Sequence, residues 1–205
     1  VEKIKETFTP NCVSLFVFNG TGSNVVALQL MTRPYHSIFC AETAHIYVDE
    51  CGSPVKMTGC QIRPIATPDG KLTPELMQPY LHGFGDQHHS QPRALYISQC
   101  TELGTIYTPE ELKRLTDFAH LNGMYVHMDG ARIANACAAL NLSLKELTVD
   151  CGVDILSFGG TKNGLMMGEC VIVFNKDLQP EARFIRKQSA QLASKMRYLS
   201  CQFTA

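Results

Sequence analysis

"MYVHMDGARIANACAAL", residues 124–140, joins a short apolar run to a helical pattern through a single Asp-Gly pair. The run before Asp129 lacks strict alternation of apolar and polar residues, which favours a strand buried on both faces. The residues after Gly130 predict a helix. A buried strand that leads directly into a helix is the repeating unit of an α/β fold.

The same alternation extends outward along the chain. Strands are predicted at 13–18, 37–41, 94–98, 124–128, 154–158 and 170–174. One helix begins with a capping box of Thr108 and Glu111 and ends at Gly123, and Thr73 begins another that ends at Gly83. We therefore expect an α/β fold in which helices sandwich a mixed, mainly parallel sheet.

Composition excludes several classes of function. The chain has 205 residues, of which 45% are hydrophobic and 18% charged, and its net charge is −1. This balance gives no footprint for nucleic acid, and no apolar run is long enough for a membrane helix. Nine cysteines without a C-x-x-C pair indicate buried free thiols in a reducing compartment, so we expect a cytoplasmic protein. No metal site is expected, because no carboxylate stands at ligand spacing from His88 and His89.

In parallel sheets, ligands bind at the carboxyl ends of the strands. After the first strand, "FNGTGSN" places Gly20 and Thr21 at a predicted helix N-terminus, which can bind an anion. The stretch is not a dinucleotide fingerprint, because Val25 stands where G-x-G-x-x-G needs glycine. A tight strand–helix turn with a polar cap remains an alternative for this stretch.

Four side chains near the other strand ends have ordinary explanations when each is taken alone. Asp129 could cap a helix, Arg132 could be a surface charge, Lys162 could extend from a loop, and His45 could be a structural histidine. Together with the anion site they form a more specific set. A lysine and an acidic partner for a pyridinium nitrogen are the arrangement that binds pyridoxal 5'-phosphate (PLP).

Two motifs carry a resemblance to a known family. "HMDGARIANA" and "ILSFGGTKNGLMMGECVIVF" resemble the low-specificity threonine aldolases, in the β-eliminating lyase group of fold-type-I PLP enzymes. The similarity runs from "FNGTGSN" through "RKQSAQLASKMRYL". It implies an aldehyde-lyase that cleaves L-threonine or L-allo-threonine to glycine and acetaldehyde. It also implies a homotetramer or homodimer with active sites at subunit interfaces.

The resemblance also implies roles for individual residues. Lys162 would bind PLP covalently, and Asp129 would pair with its ring nitrogen. His45 would stack on the ring and is counted with these two as catalytic. Gly20 and Thr21 would bind the phosphate.

Two further residues complete the implied site. Arg132 would lie near the cofactor oxygen O3′ and the substrate carboxylate, and Thr161 is counted among the cofactor-binding residues. The chain also departs from the family pattern. Asn19 stands where many members have serine, and "SQCTE" at 98–102 lacks a histidine that many members carry, although Thr101 is retained.

The two ends of the sequence bear on the expected domain organisation. The chain begins at Val1 rather than Met, and residues 181–205 have near-helical apolar spacing without a stop signal. We expect residues 1–205 to be the large PLP-binding domain, truncated at both ends and without the small C-terminal domain. Two alternatives stay open: another PLP reaction, namely β-elimination, transamination or racemisation, or a cofactor domain without activity.

Overall fold

The computed structural model describes residues 1–204, and its centre is one sheet of seven strands. The strands are β1 (Val13–Val17), β2 (His36–Ala41), β3 (Gln61–Ile65), β4 (Gln91–Ser98), β5 (Tyr125–Gly130), β6 (Ile155–Gly159) and β7 (Glu169–Val173). Their order across the sheet is β1-β7-β6-β5-β4-β2-β3. Strand β7 runs antiparallel to both of its neighbours, and the other pairs are parallel. The expected mixed, mainly parallel sheet is confirmed.

Helices cover both faces of this sheet. They are α1 (Glu2–Thr7), α2 (Gly20–Met31), α3 (His45–Val48), α4 (Ser53–Thr58), α5 (Pro74–Met77), α6 (Pro109–Leu121), α7 (Ile133–Leu140), α8 (Ala182–Gln188) and α9 (Arg197–Ser200). Helix α2 packs on one face through a core that includes Val26 and Leu28. Helices α6 and α7 belong to the core on the other face, with Leu112 and Ile133 among its members. The capping box predicted at Thr108 is present.

Strand β3 was not predicted, because "QIRPI" contains a charged residue and a proline. It lies at the edge of the sheet and pairs only with β2 among the described residues. Pro64 cannot donate a ladder hydrogen bond, and an edge strand is where a sheet tolerates that loss. The helix that begins after Thr73 is also shorter than expected. It passes into a 3-10 turn at Gln78–Tyr80, since Pro79 cannot continue an α-helix.

The near-helical apolar spacing of residues 181–205 does not produce a single helix within the described residues. Helix α8 ends at Gln188, Ala190 adopts a left-handed conformation with φ of 59°, and α9 begins only at Arg197. The break lets Gln191 reach the loop after β1, where its Oε1 accepts a 3.0 Å hydrogen bond from the Phe18 amide. A long-range contact has therefore overridden the local helical pattern.

Candidate active site

The strand register brings chemistry-bearing residues to one edge of the sheet. Ser98, Asp129 and Ser157 are direct neighbours across β4, β5 and β6, at or near the carboxyl end of each strand. Strands β1 and β6 both run antiparallel to β7, so β1 ends at this edge as well. Because β7 runs the other way, its first residue, Glu169, lies at the same edge.

A cleft of about 330 Å³ opens at this edge, a size within the range of small-molecule sites. Its lining consists of Asn19, Gly20, Thr21, Asn24, His45, Asp129, Ala131, Arg132, Thr161, Lys162 and Glu169. The structure thus brings all seven of the residues expected to contact the cofactor to a single cleft.

Asp129 is at the floor of the cleft, deep in the protein but partly exposed to the cleft itself. Its Oδ2 accepts hydrogen bonds from Tyr96 Oη at 2.6 Å and Asn24 Nδ2 at 3.1 Å, and its Oδ1 accepts one from the Ala131 amide at 3.0 Å. Burial alone disfavours the charge, but these donors outweigh it and hold the pKa of Asp129 below its ordinary value. The carboxylate is therefore ionised at neutral pH, and within residues 1–204 it has no ion-pair partner.

His45 forms part of the cleft wall at the first residue of α3. Its Nδ1 lies 2.9 Å from Oε1 of Glu50, a carboxylate that is fully buried. The hydrogen bond to Glu50 raises the pKa of His45 above its ordinary value, although burial opposes that change. The His45 amide donates to Glu102 at 3.2 Å, so the backbone of this residue is also held.

The N-terminus of α2 supplies backbone donors to the opposite part of the cleft. Asn19 is the N-cap, and its Oδ1 accepts a 2.7 Å hydrogen bond from the Gly22 amide. The amides of Gly20 and Thr21 precede the first residues that can bond within the helix, so they are available to an anion. A Cβ added at Gly20 would project into open space, with nothing within 4 Å. This space is where an anion can approach the backbone closely.

Lys162 lies in a 3-10 turn, Thr161–Asn163, that follows β6. Asn163 Nδ2 ties this turn to the neighbouring strand ends by donating to the Gly159 carbonyl at 2.9 Å and the Ala131 carbonyl at 3.2 Å. A Cβ on Gly159 would lie 2.6 Å from the Ala131 backbone, and one on Gly160 would lie 2.4 Å from the Gly168 carbonyl. These two glycines therefore permit close approach of one backbone segment to another.

Glu169 holds the beginning of the Lys162 turn. It is 6% exposed, and its Oε2 accepts a 2.7 Å hydrogen bond from the Gly160 amide. Burial raises the pKa of this carboxyl group, and hydrogen bonds from Gly160 and Thr161 partly offset that effect. Glu169 therefore connects the start of β7 to the segment that carries Lys162.

Sequence reasoning missed four residues of this site: Asn24, Glu50, Tyr96 and Glu169. Asn24 and Tyr96 lie inside a helix and a strand, and Glu169 is the first residue of its strand, so a search of the positions after strands does not find them. Only Glu50 had a local signal, because it follows His45 by five residues in "AHIYVDE".

The segment that departs from the family pattern is also ordered around the site. Thr101 is buried, and its Oγ1 lies 2.6 Å from Thr105 Oγ1, so this hydroxyl serves the loop. Glu102 Oε1 accepts a 2.7 Å hydrogen bond from Ser98 Oγ, in addition to the one from the His45 amide.

The cleft suits PLP by three of its features. The ionised carboxylate of Asp129, which has no cationic partner within residues 1–204, matches a protonated pyridine nitrogen. Backbone amides with open space before them match a phosphate, and Lys162 can bind an aldehyde covalently. For residues 1–204, no group of three or more His, Cys, Asp or Glu side chains is arranged to hold a metal ion.

A larger groove of about 670 Å³ lies at the opposite edge of the sheet, but its cations are already engaged. Arg33 donates to Glu181 at 3.3 Å. Arg93 donates to the Gly123 carbonyl at 2.8 Å and stacks over Tyr125. This groove therefore offers less to a ligand than the cleft at the carboxyl ends.

Comparisons with known proteins agree with this geometry. A family model described as "Beta-eliminating lyase" matches residues 2–201. The low specificity L-threonine aldolase of Pseudomonas aeruginosa is 44% identical over 197 residues, which cover 96% of this chain and 57% of that protein. Another from a Pseudomonas species is 42% identical over 200 residues, covering 97% and 58%. The solved structure of a Leishmania major threonine aldolase matches with a TM-score of 0.91 and 33% identity, over 98% of this chain and 58% of that one.

Proposed function

This chain belongs to the beta-eliminating lyase family, and we propose that the protein is a PLP-dependent threonine aldolase. It would cleave L-threonine, L-allo-threonine and related β-hydroxy-α-amino acids to glycine and an aldehyde. The observation that carries this proposal is the ionised Asp129, without an ion-pair partner among the described residues, at the floor of the cleft that Lys162 also lines. The similarity to curated L-threonine aldolases supports the choice of reaction. The chain spans 57% of the length of the Pseudomonas aeruginosa relative, and the activity is proposed for the whole protein.

Each residue of the cleft has a task in this proposal. Lys162 Nζ would hold the cofactor through a covalent bond to its aldehyde. Asp129 would hold a proton on the pyridine nitrogen. When bound, PLP supplies an electron sink for the charge that develops at the substrate Cα. Residues 1–204 would form the large domain that binds it.

The remaining residues orient the reacting groups. The Gly20 and Thr21 amides bind the phosphate at the N-terminus of α2. His45 would contact the cofactor ring, and Arg132 would bind the substrate carboxylate, which would help to orient the Cα–Cβ bond. Thr161 completes the cofactor contacts beside Lys162.

We further propose that the protein acts in the cytoplasm as a homo-oligomer with active sites at subunit interfaces. Nine free cysteines, six of them buried, support a reducing compartment. Met166 and Met167, in the loop after Lys162, are 88% and 43% exposed, and such apolar side chains beside a cleft suit a subunit contact. The structure contains no helix, within residues 1–204, that is long and apolar enough to cross a membrane. Light scattering of the purified protein tests the oligomer, and a monomer would contradict it.

Product analysis tests the reaction. The protein is incubated with PLP and, separately, L-threonine, L-allo-threonine, L-serine and L-tryptophan. Glycine and acetaldehyde in equal amounts from the first two substrates would support the proposal. Pyruvate from serine or tryptophan as the main product would mean β-elimination. Exchange of an amino group with an added keto acid would mean transamination, and the D-enantiomer as product would mean racemisation. Each of these outcomes would overturn the aldolase assignment.

A further inference from the structure

Glu50 places a carboxylate in the protein interior directly behind the cleft wall. Its side chain is 0% exposed. Its Oε1 lies 2.9 Å from His45 Nδ1 and accepts a 2.8 Å hydrogen bond from Asn24 Nδ2. Its second oxygen, Oε2, has no hydrogen-bond partner among the described residues. A carboxylate removed from water is costly unless hydrogen bonds hold it, so the contacts to Oε1 define its place.

Asn24 connects Glu50 to the floor of the cleft. The same amide nitrogen that donates to Glu50 lies 3.1 Å from Oδ2 of Asp129. Both neighbours are acceptors, so the NH₂ group of Asn24 must face them, and its Oδ1 accepts a 3.0 Å hydrogen bond from Ser157. One amide group therefore ties the carboxylate behind His45 to the carboxylate at the floor of the cleft.

We propose that Glu50 is a positioning residue that keeps a proton on His45 Nδ1 and directs Nε2 toward the cleft, while Asn24 ties this pair to Asp129. The inference rests on the proposed function, because it takes His45 and Asp129 as residues that meet the cofactor. In the neutral imidazole, one nitrogen donates and the other accepts. Since Glu50 can only accept when ionised, the Nδ1 proton belongs to that hydrogen bond. Nε2 is then the nitrogen that faces the cleft, where it can accept a hydrogen bond.

The charges around His45 act together on its titration. Its hydrogen bond with Glu50 raises the pKa of the imidazole, and burial lowers it. The Glu50 and Asp129 charges raise it further, and Lys162 lowers it. Glu102 contacts only the backbone amide of His45. Glu50 is thus the main group that favours the charged imidazole. The sum of these opposing effects sets the pKa of His45, and that pKa decides whether Nε2 accepts or donates a hydrogen bond near neutral pH.

A second pair of the same kind provides a matched control. His120 Nε2 lies 2.9 Å from Oδ2 of Asp154, whose side chain is 7% exposed, at the opposite edge of the sheet. The hydrogen bond to Asp154 also raises the pKa of His120. If Glu50 served only to stabilise the fold, removing the Glu50 carboxylate and removing the Asp154 carboxylate would affect the cleft in the same way.

The substitution Glu50→Gln is close to isosteric. The amide oxygen can take the place of Oε1, and the amide nitrogen can take the place of Oε2, which has no hydrogen-bond partner among residues 1–204. The variant therefore keeps the shape and removes the charge. NMR titration of histidine imidazoles compares the parent chain, Glu50→Gln and Asp154→Asn without cofactor, with His45→Gln used to assign the signal.

We expect Glu50→Gln to lower the pKa of His45 by about one unit or more, as the loss of a close opposite charge predicts. Asp154→Asn should move the His120 titration and leave that of His45 in place. An unchanged His45 pKa in Glu50→Gln would overturn the proposal. A neutral His45 that carries its proton on Nε2 in the parent chain would also overturn the proposal. This measurement needs only the parent chain, so it decides the question even if the variant does not fold.

PLP titration of the same three chains separates this inference from the proposed function. We expect the pH midpoint of the bound-cofactor absorbance to shift in Glu50→Gln and to stay in place in Asp154→Asn. If the parent chain and a longer version both fail to bind PLP, the proposed function is wrong, and the NMR titration still decides the role of Glu50 toward His45. If PLP binds to the parent and to Glu50→Gln with identical pH profiles, the positioning role is wrong.

Discussion

Tyr96 donates a 2.6 Å hydrogen bond to Oδ2 of Asp129 from a side chain that is 0% exposed. A hydrogen bond to a charged group contributes about 1.5–3 kcal/mol. We expect Tyr96→Phe to lower the free energy of unfolding by about that amount at pH 7, measured by urea denaturation, and to weaken PLP binding. Tyr107→Phe is the control, because that phenol bonds to the Leu72 amide rather than to the cleft. Equal effects of the two variants on PLP binding would refute the link to Asp129.

Turnover is expected to depend on the charge of Asp129. Asp129→Asn keeps the size of the side chain but cannot hold a proton on the ring nitrogen of PLP. We expect PLP to bind still through Lys162, and turnover of L-threonine to fall by orders of magnitude, as losses of preorganised electrostatic stabilisation do. The exposed Asp150→Asn serves as the matched change, with kcat measured for the whole protein in each case. Near-normal kcat in Asp129→Asn would leave this residue with a structural role only, near the end of β5.

His127 makes stability depend on pH. It is 0% exposed, its Nε2 lies 2.9 Å from Ser157 Oγ, and burial lowers its pKa to about 4. The unfolded chain takes up this proton near pH 6.5, so the contribution of His127 is full above that pH and is lost as the pH falls toward 4. The shift corresponds to about 3 kcal/mol. Between pH 6.5 and 4, we expect the free energy of unfolding of His127→Gln to fall less than that of the parent chain. Parallel curves of unfolding free energy against pH for the two chains would disprove this.

Glu169 is predicted to hold the segment that carries Lys162. Glu169→Ala leaves the buried Gly160 amide without an acceptor, which costs about 1–3 kcal/mol. Glu169→Gln retains an acceptor and should cost much less. Thermal unfolding measures both, and the rate of pyridoxyl labelling at Lys162 should fall in the alanine variant alone. Labelling at the parent rate in Glu169→Ala would show that the turn does not depend on this side chain.

Local signals in the sequence predicted most of the fold. The capping box at Thr108 and the short apolar runs at six of the seven strands are patterns set by nearest neighbours. Strand β3 was missed because its proline and arginine are tolerated only at a sheet edge, and the sequence does not reveal which strand is the edge. The break after α8 was missed because it depends on Gln191 meeting Phe18, a contact distant in sequence.

The residues of the candidate site also fall into two groups, those that the sequence predicted and those that it did not. The motif residues at strand ends, such as Asp129 and Lys162, were predictable because parallel strands finish at one edge. Glu169 was not, because its position depends on β7 running antiparallel, which apolar spacing alone does not reveal. The supporting residues Asn24 and Glu50 were missed because their roles come from hydrogen bonds made across the fold.

The central claim is that Lys162 binds PLP, and borohydride reduction followed by peptide mapping tests it most directly. The chain is incubated with PLP, reduced and digested, together with Lys162→Ala and the control Lys187→Ala. We predict one pyridoxyl group on the peptide that contains Lys162, absent in Lys162→Ala and present in Lys187→Ala. A pyridoxyl group on a different lysine of the parent chain, or an undiminished adduct in Lys162→Ala, would contradict the account.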